Sequence, residues 1–158
     1  MTNVDNGTLL RTYPAVPESV PLARQELVCF SLLAGADGGR AEDVKLSVSE
    51  ALTNVVQHAY RGVEGVIHVR ASIAAEELWV LIGDDGDGLE SQNDSPGLGV
   101  GLTLIAQMSD GLTIMDRSGG GTEVRMRFVL GPGADAGYER GSSLSASSRA
   151  STPFSTTT

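Results

Sequence analysis

Between residues 41 and 59 the apolar side chains return every three or four positions, with Val44, Val48, Ala51, Leu52, Val55 and Ala59 on one side, which predicts an amphipathic helix. A run of the same period from Val20 to Leu33 predicts another, with Ser19 as its N-cap and Pro21 in its first turn. Leu98 to Ser109 predicts a third. Shorter stretches rich in Val, Ile and Trp read as strands: Thr8 to Tyr13, Val66 to Ile73, Leu78 to Ile82, Leu112 to Arg117 and Glu123 to Val129. Pro14 and Pro17 break the chain after the first strand, and Gly35 to Gly39 reads as a turn between helices. The predicted order is β, α, α, β, β, α, β, β.

The link Ala-Ala-Glu-Glu joins one strand pair and Ser-Gly-Gly-Gly the other, and both are too short for a parallel crossover. The expected fold is therefore an α+β two-layer sandwich, a mostly antiparallel mixed sheet with its helices on one face. Residues 1–130 read as one domain. From Gly131 large apolar side chains nearly vanish, so 131–158 is expected to be a disordered tail that cannot offset the entropy of ordering.

With 158 residues, 41% of them hydrophobic, the chain can bury a core of its own. A formal charge of −9 argues against nucleic acid or an anionic membrane as partner, since either needs a basic surface. Cys29 is the only cysteine, which excludes an intrachain disulfide and fits a reducing cytoplasm. Its apolar neighbours predict a buried, inert thiol.

Steps of four residues turn about 40° around a helix, so Glu50, Asn54 and His58 form a polar stripe beside the apolar one. A solvated helix face more often carries Lys, Arg and Glu in pairs, and Asn is a mediocre helix former. Asp84 follows a predicted strand and opens Asp-Asp-Gly-Asp-Gly; a carboxylate there can accept a hydrogen bond from an adenine amino group, with Gly86 and Gly88 letting the backbone approach the ring. The clustered Asp84, Asp85 and Asp87 also admit a calcium loop or a plain acidic turn, although their spacing does not match an EF-hand. Gly97, Gly99 and Gly101 lead into a predicted helix, where free amides bind phosphate.

Read together, Ser-Glu-Ala-Leu-Thr-Asn-Val-Val-Gln-His-Ala-Tyr (49–60), Asp-Asp-Gly-Asp-Gly (84–88), Gly-Leu-Gly-Val-Gly-Leu (97–102) and Gly-Gly-Gly-Thr (119–122) resemble the GHKL superfamily of ATP-binding domains. Within it they resemble the bacterial anti-sigma factor serine/threonine kinases of the RsbW and SpoIIAB type. The resemblance covers about residues 8–130 and implies a Bergerat-type fold that binds ATP and Mg²⁺. It implies Glu50 as general base, Asn54 as Mg²⁺ ligand and His58 as a phosphate-side contact. It implies Asp84 on the adenine amino group, assisted by Thr122 through water, with Gly86 and Gly88 against the base. Gly97, Gly99, Gly101 and Leu102 belong to the second glycine box, with Gly99 and Gly101 facing the phosphates.

The resemblance further implies two partners, a sigma factor and a STAS-type antagonist that receives the phosphate; members of the group commonly form homodimers. Histidine kinases share the domain but need a phosphoacceptor histidine on a dimerisation segment, and gyrase-like or MutL-like members need further domains. No Lys or Arg occurs from Ala71 to Asp116, whereas many members place a cation near the γ-phosphate; Lys45, Arg61 or a partner could supply one. The rival reading is a nucleotide-dependent partner-binding module without phosphoryl transfer.

Overall fold

The computed structural model describes residues 4–5, 7–88 and 98–131. Its six strands are β1 (Val4–Asp5), β2 (Thr8–Pro14), β3 (Val66–Ala74), β4 (Glu77–Asp84), β5 (Gly111–Asp116) and β6 (Thr122–Val129). They form one sheet in the order β1-β2-β3-β4-β6-β5, and every pairing is antiparallel. The helices are α1 (Ser19–Leu33), α2 (Gly38–Asn54) with a π turn at Val55–Ala59, and α3 (Leu98–Met108). The predicted order holds, with β1 added.

Alternation along the strands explains the two layers. Leu78, Val80 and Ile82 of β4 and Met126 and Phe128 of β6 are buried, and so are Val44, Val48, Leu52 and Ile105 of the helices. One sheet face thus packs on the helices and forms a single core. The opposite face carries Leu10, Arg70, Leu81 and Arg125 in one cross-strand row. Each fully buried Leu or Ile contributes on the order of 1.5–3 kcal/mol.

Local chemistry moves several boundaries. α2 starts at Gly38 because the Asp37 side chain accepts a bond from the Arg40 amide at 2.7 Å, so the stretch expected to be a turn is partly helix. Ser19 is not a cap: it is the first helical residue and buried, and Glu18 holds the cap position without a side-chain bond. Cys29 is exposed, not buried. It follows Leu27 by two residues, about 200° around α1, so it faces away from the stripe of Ala23, Leu27 and Phe30. Arg40 ties the start of α2 to the rest of the domain, pairing with Asp43 and Asp110 and donating to the Val129 carbonyl at 3.0 Å. The tail expected from 131 onward lies outside the described residues, apart from Gly131.

Candidate functional site

Glu50 and Asn54 stand on the last turns of α2, and α3 brings Gly101 against both. A Cβ at position 101 would lie 2.7 Å from Glu50 Oε2 and 3.6 Å from Asn54 Nδ2. The first and third motifs therefore meet, because residue 101 has no side chain to hold them apart. Asn54 Nδ2 is buried and has no hydrogen-bond partner among the described residues. A buried, unsatisfied amide donor costs about 1–3 kcal/mol, and a ligand that presents an acceptor such as a phosphate oxygen to it would recover that cost. The amide oxygen is a hard donor of the kind Mg²⁺ prefers, so Asn54 fits the ion that the resemblance implies.

Immediately after Asn54 the helix widens into the π turn, a feature enriched at functional sites. Its i→i+5 geometry advances fewer degrees per residue than an α turn, so His58 does not continue the 40° drift read from the sequence. His58 is half-buried there. The turn ends at Ala59, whose carbonyl oxygen accepts from the Asp87 amide at 3.4 Å. Any Cβ on Gly86 would overlap that same carbonyl, so the second motif can lie against the first only as glycine.

Asp84 is the last residue of β4 and 3% exposed. Its Oδ1 accepts from the Gly86 amide at 2.9 Å and from the Thr122 amide at 3.2 Å; Oδ2 takes neither bond. Burial raises the Asp84 pKa above its ordinary 3.8, against the opposing pull of those two amides and of the Arg117 charge. Thr122 thus meets Asp84 directly through its backbone, in addition to the water-mediated role expected for it. Gly121, at φ +97°, must be glycine, because a Cβ there would run into the Asp84 carbonyl. Gly88 is also left-handed, at φ +85°, with the Asp116 carboxylate 3.1 Å from where its Cβ would be.

The second glycine box divides between described and undescribed residues. Gly97 lies outside the described residues. Gly99 faces open space, and Leu102 packs on the core. α3 runs from Leu98 to Met108, which places Gly99 and Gly101 in its first described turn. Arg61 pairs with Asp87 at 3.6 Å, at the edge of the Asp84 loop, whereas Lys45 pairs with Glu42 along α2.

Sequence reasoning missed the groups behind Asp84. Arg117 donates to the Asp84 carbonyl, His68 and Arg117 flank the Asp85 carboxylate, and the Tyr60 hydroxyl accepts from the Asp85 amide at 2.8 Å. The one available signal was the Asp-Arg start of the glycine hairpin. A cavity of about 420 Å³ opens on this far side of the sheet, lined by His68, Arg70, Leu81, Gly83 and Arg117 among others. It lies behind the Asp84 loop, on the sheet face opposite the helices that carry Glu50 and Asn54.

Residues 13–128 match the histidine kinase-like ATPase domain, and the chain belongs to that family. It is 34% identical over 99 residues to an anti-sigma F factor of Clostridium kluyveri, covering 56% of this chain and 70% of that protein. It is 30% identical over 122 residues to the serine-protein kinase RsbW of Bacillus subtilis, covering 67% and 76% respectively. With RsbW of Bacillus licheniformis the identity is 37% over 87 residues, 54% of each chain. The family suggested by the four motifs and the family matched by the whole domain are the same.

Proposed function

We propose that this chain is an anti-sigma factor with ATP-dependent serine/threonine protein kinase activity, which phosphorylates a STAS-type antagonist and sequesters a sigma factor. The observation that carries the proposal is the contact of Gly101 with Glu50 and Asn54. It gathers a carboxylate, a carboxamide and the first described turn of α3 at one point, with Asp84 across the Ala59–Gly86 contact. The names of the relatives support the same reading: an anti-sigma factor and a serine-protein kinase.

In this account Asp84 accepts the adenine amino group and Thr122 steadies it. The amides at the start of α3, those of Gly99 and Gly101 among them, receive the phosphates, and His58 supports them from the π turn. Asn54 would hold Mg²⁺, which when bound neutralises phosphate charge. Glu50 takes the proton of the acceptor hydroxyl as that oxygen bonds to the γ-phosphorus and the bridging oxygen departs with ADP. Without a Lys or Arg between 71 and 116, charge stabilisation falls to the helix amides, to the ion, and to Arg61 or a cation brought by the partner.

The net charge of −9 is consistent with protein partners in the cytoplasm, and among the described residues no helix is long and apolar enough to cross a membrane. Assembly as a homodimer is part of the same proposal. The test is transfer of labelled γ-phosphate to a serine of the antagonist: Glu50→Gln is expected to bind ATP normally and to transfer roughly 10²- to 10⁴-fold more slowly. Undiminished transfer by Glu50→Gln would remove the base. Tight Mg·ATP binding by the unaltered chain with no phosphorylated antagonist would leave a partner-binding module instead.

A further inference from the structure

Nothing in the motifs explains why residue 83, near the end of β4 and paired on both sides, is glycine. Gly83 lies on the sheet face away from the helices, opposite His68 on β3 and Glu123 on β6. A Cβ there would come within 3.3 Å of Arg117 Nη1 and 3.4 Å of its Cδ. The Arg117 side chain therefore lies close over the backbone just before Asp84, and a side chain at 83 would press it aside by a few tenths of an ångström.

From this position one nitrogen of Arg117 makes two bonds. Nη1 donates to the Asp84 carbonyl at 3.1 Å and to Asp85 Oδ1 at 2.9 Å. The other oxygen of Asp85 is 2.7 Å from His68 Nε2, and the Asp85 amide donates to the Tyr60 hydroxyl. Tyr60 in turn donates to the Val66 carbonyl at 2.5 Å. The peptide between Asp84 and Asp85 is thus held at its carbonyl by Arg117 and at its amide by Tyr60.

The same two segments carry the pair of amides that orient the Asp84 side chain: Gly86 belongs to the loop after β4, and Thr122 to the hairpin that Arg117 opens. Arg117 cross-links loop to hairpin, and so sets the separation of the two donors that share Asp84 Oδ1.

We propose that Arg117 is a positioning residue for nucleotide recognition, acting from the rear of the sheet to fix the direction of the Asp84 carboxylate. The proposal rests on the reading of Asp84 as the adenine acceptor. Arg117 stands on the sheet face away from Glu50 and Asn54 and meets Asp84 through its backbone carbonyl. Its loss therefore affects base selectivity and affinity.

The experiment is calorimetric titration of the full chain with Mg·ATP and with Mg·GTP, on the unaltered protein, Arg117→Ala, Arg117→Lys and Asp84→Asn, with melting temperatures alongside. Arg117→Ala is expected to weaken ATP about tenfold, the effect of one charge-assisted hydrogen bond, and to narrow the ATP/GTP ratio. Arg117→Lys, which keeps a charged donor, should recover part of both. A role confined to stability would lower the melting temperature and leave the ratio untouched, and that result would overturn the proposal. If Asp84→Asn collapses the ratio while Arg117→Ala does not, Arg117 alone is excluded. If Asp84→Asn also leaves it unchanged, the adenine assignment falls and Arg117 with it.

Discussion

The carbonyl of Ala59 occupies the space that a side chain at Gly86 would need, and the neighbouring Asp87 amide donates to it. The π turn closing the α2 segment and the loop after β4 are joined backbone to backbone. Glu50 and Asn54 are thereby placed relative to Asp84 without any intervening side chain.

Gly86→Ala is accordingly expected to be costly twice over. Backbone, not a flexible side chain, blocks the new methyl, so the loop must move away from Ala59, with a loss of about 1–3 kcal/mol in stability. The Gly86 amide also leaves Asp84, and ATP affinity should fall at least about tenfold. Thermal melting and calorimetry on one preparation check both; a variant with normal melting and normal affinity would contradict the contact.

Asp84→Asn should separate stability from binding. Burial raises the Asp84 pKa in the folded protein, so the carboxyl contributes stability that is present below its unfolded value near 3.8 and lost as pH rises through the higher folded value. At neutral pH the folded protein carries a disfavoured charge that asparagine removes, while an amide oxygen can still accept from Gly86 and Thr122. The variant is expected to melt at or above the temperature of the unaltered chain at pH 7, and to lose that advantage as pH falls toward 3.8. ATP binding should weaken roughly 10- to 150-fold, the equivalent of about 1.5–3 kcal/mol. Melting curves against pH, with calorimetry at pH 7, measure the two effects; a large drop in melting temperature at pH 7 would mean that the charge is structural.

Gly101→Ala is the complementary case. The new Cβ meets the mobile end of Glu50, which can swing aside, and helix propensity favours alanine by up to about 1 kcal/mol. Stability should hold or rise. Phosphoryl transfer should fall about 10- to 100-fold, because a displaced carboxylate no longer meets the acceptor hydroxyl. Transfer at the original rate would show that Glu50 does not need its observed position.

Much of the fold was legible because the patterns are long and regular. The stripe of Val44, Val48, Leu52 and Val55 repeats over several turns, and the hairpin links are too short to permit anything but antiparallel pairing. β1 has two residues, below the length at which alternation can register. Cys29 was misplaced because apolar neighbours in sequence are not neighbours around a helix. At the site, residues on one element were readable from spacing: Glu50 with Asn54, and Asp84 with Gly86. Arg117 was not, since it meets Asp84 across 33 positions of sequence, through a backbone carbonyl that any residue would supply. The π turn was equally hidden, because Val-Val-Gln-His-Ala has no composition that distinguishes it from α-helix.

The central claim is that α2, the Asp84 loop and α3 form one magnesium-nucleotide pocket. It is tested most directly by calorimetric titration of the chain with ATP, with and without Mg²⁺, beside the Asn54→Ala variant. The account predicts saturable binding that strengthens with magnesium, and loss of the magnesium effect in Asn54→Ala with the fold intact. Absence of saturable binding by the unaltered chain, or a magnesium effect that survives Asn54→Ala, would contradict it.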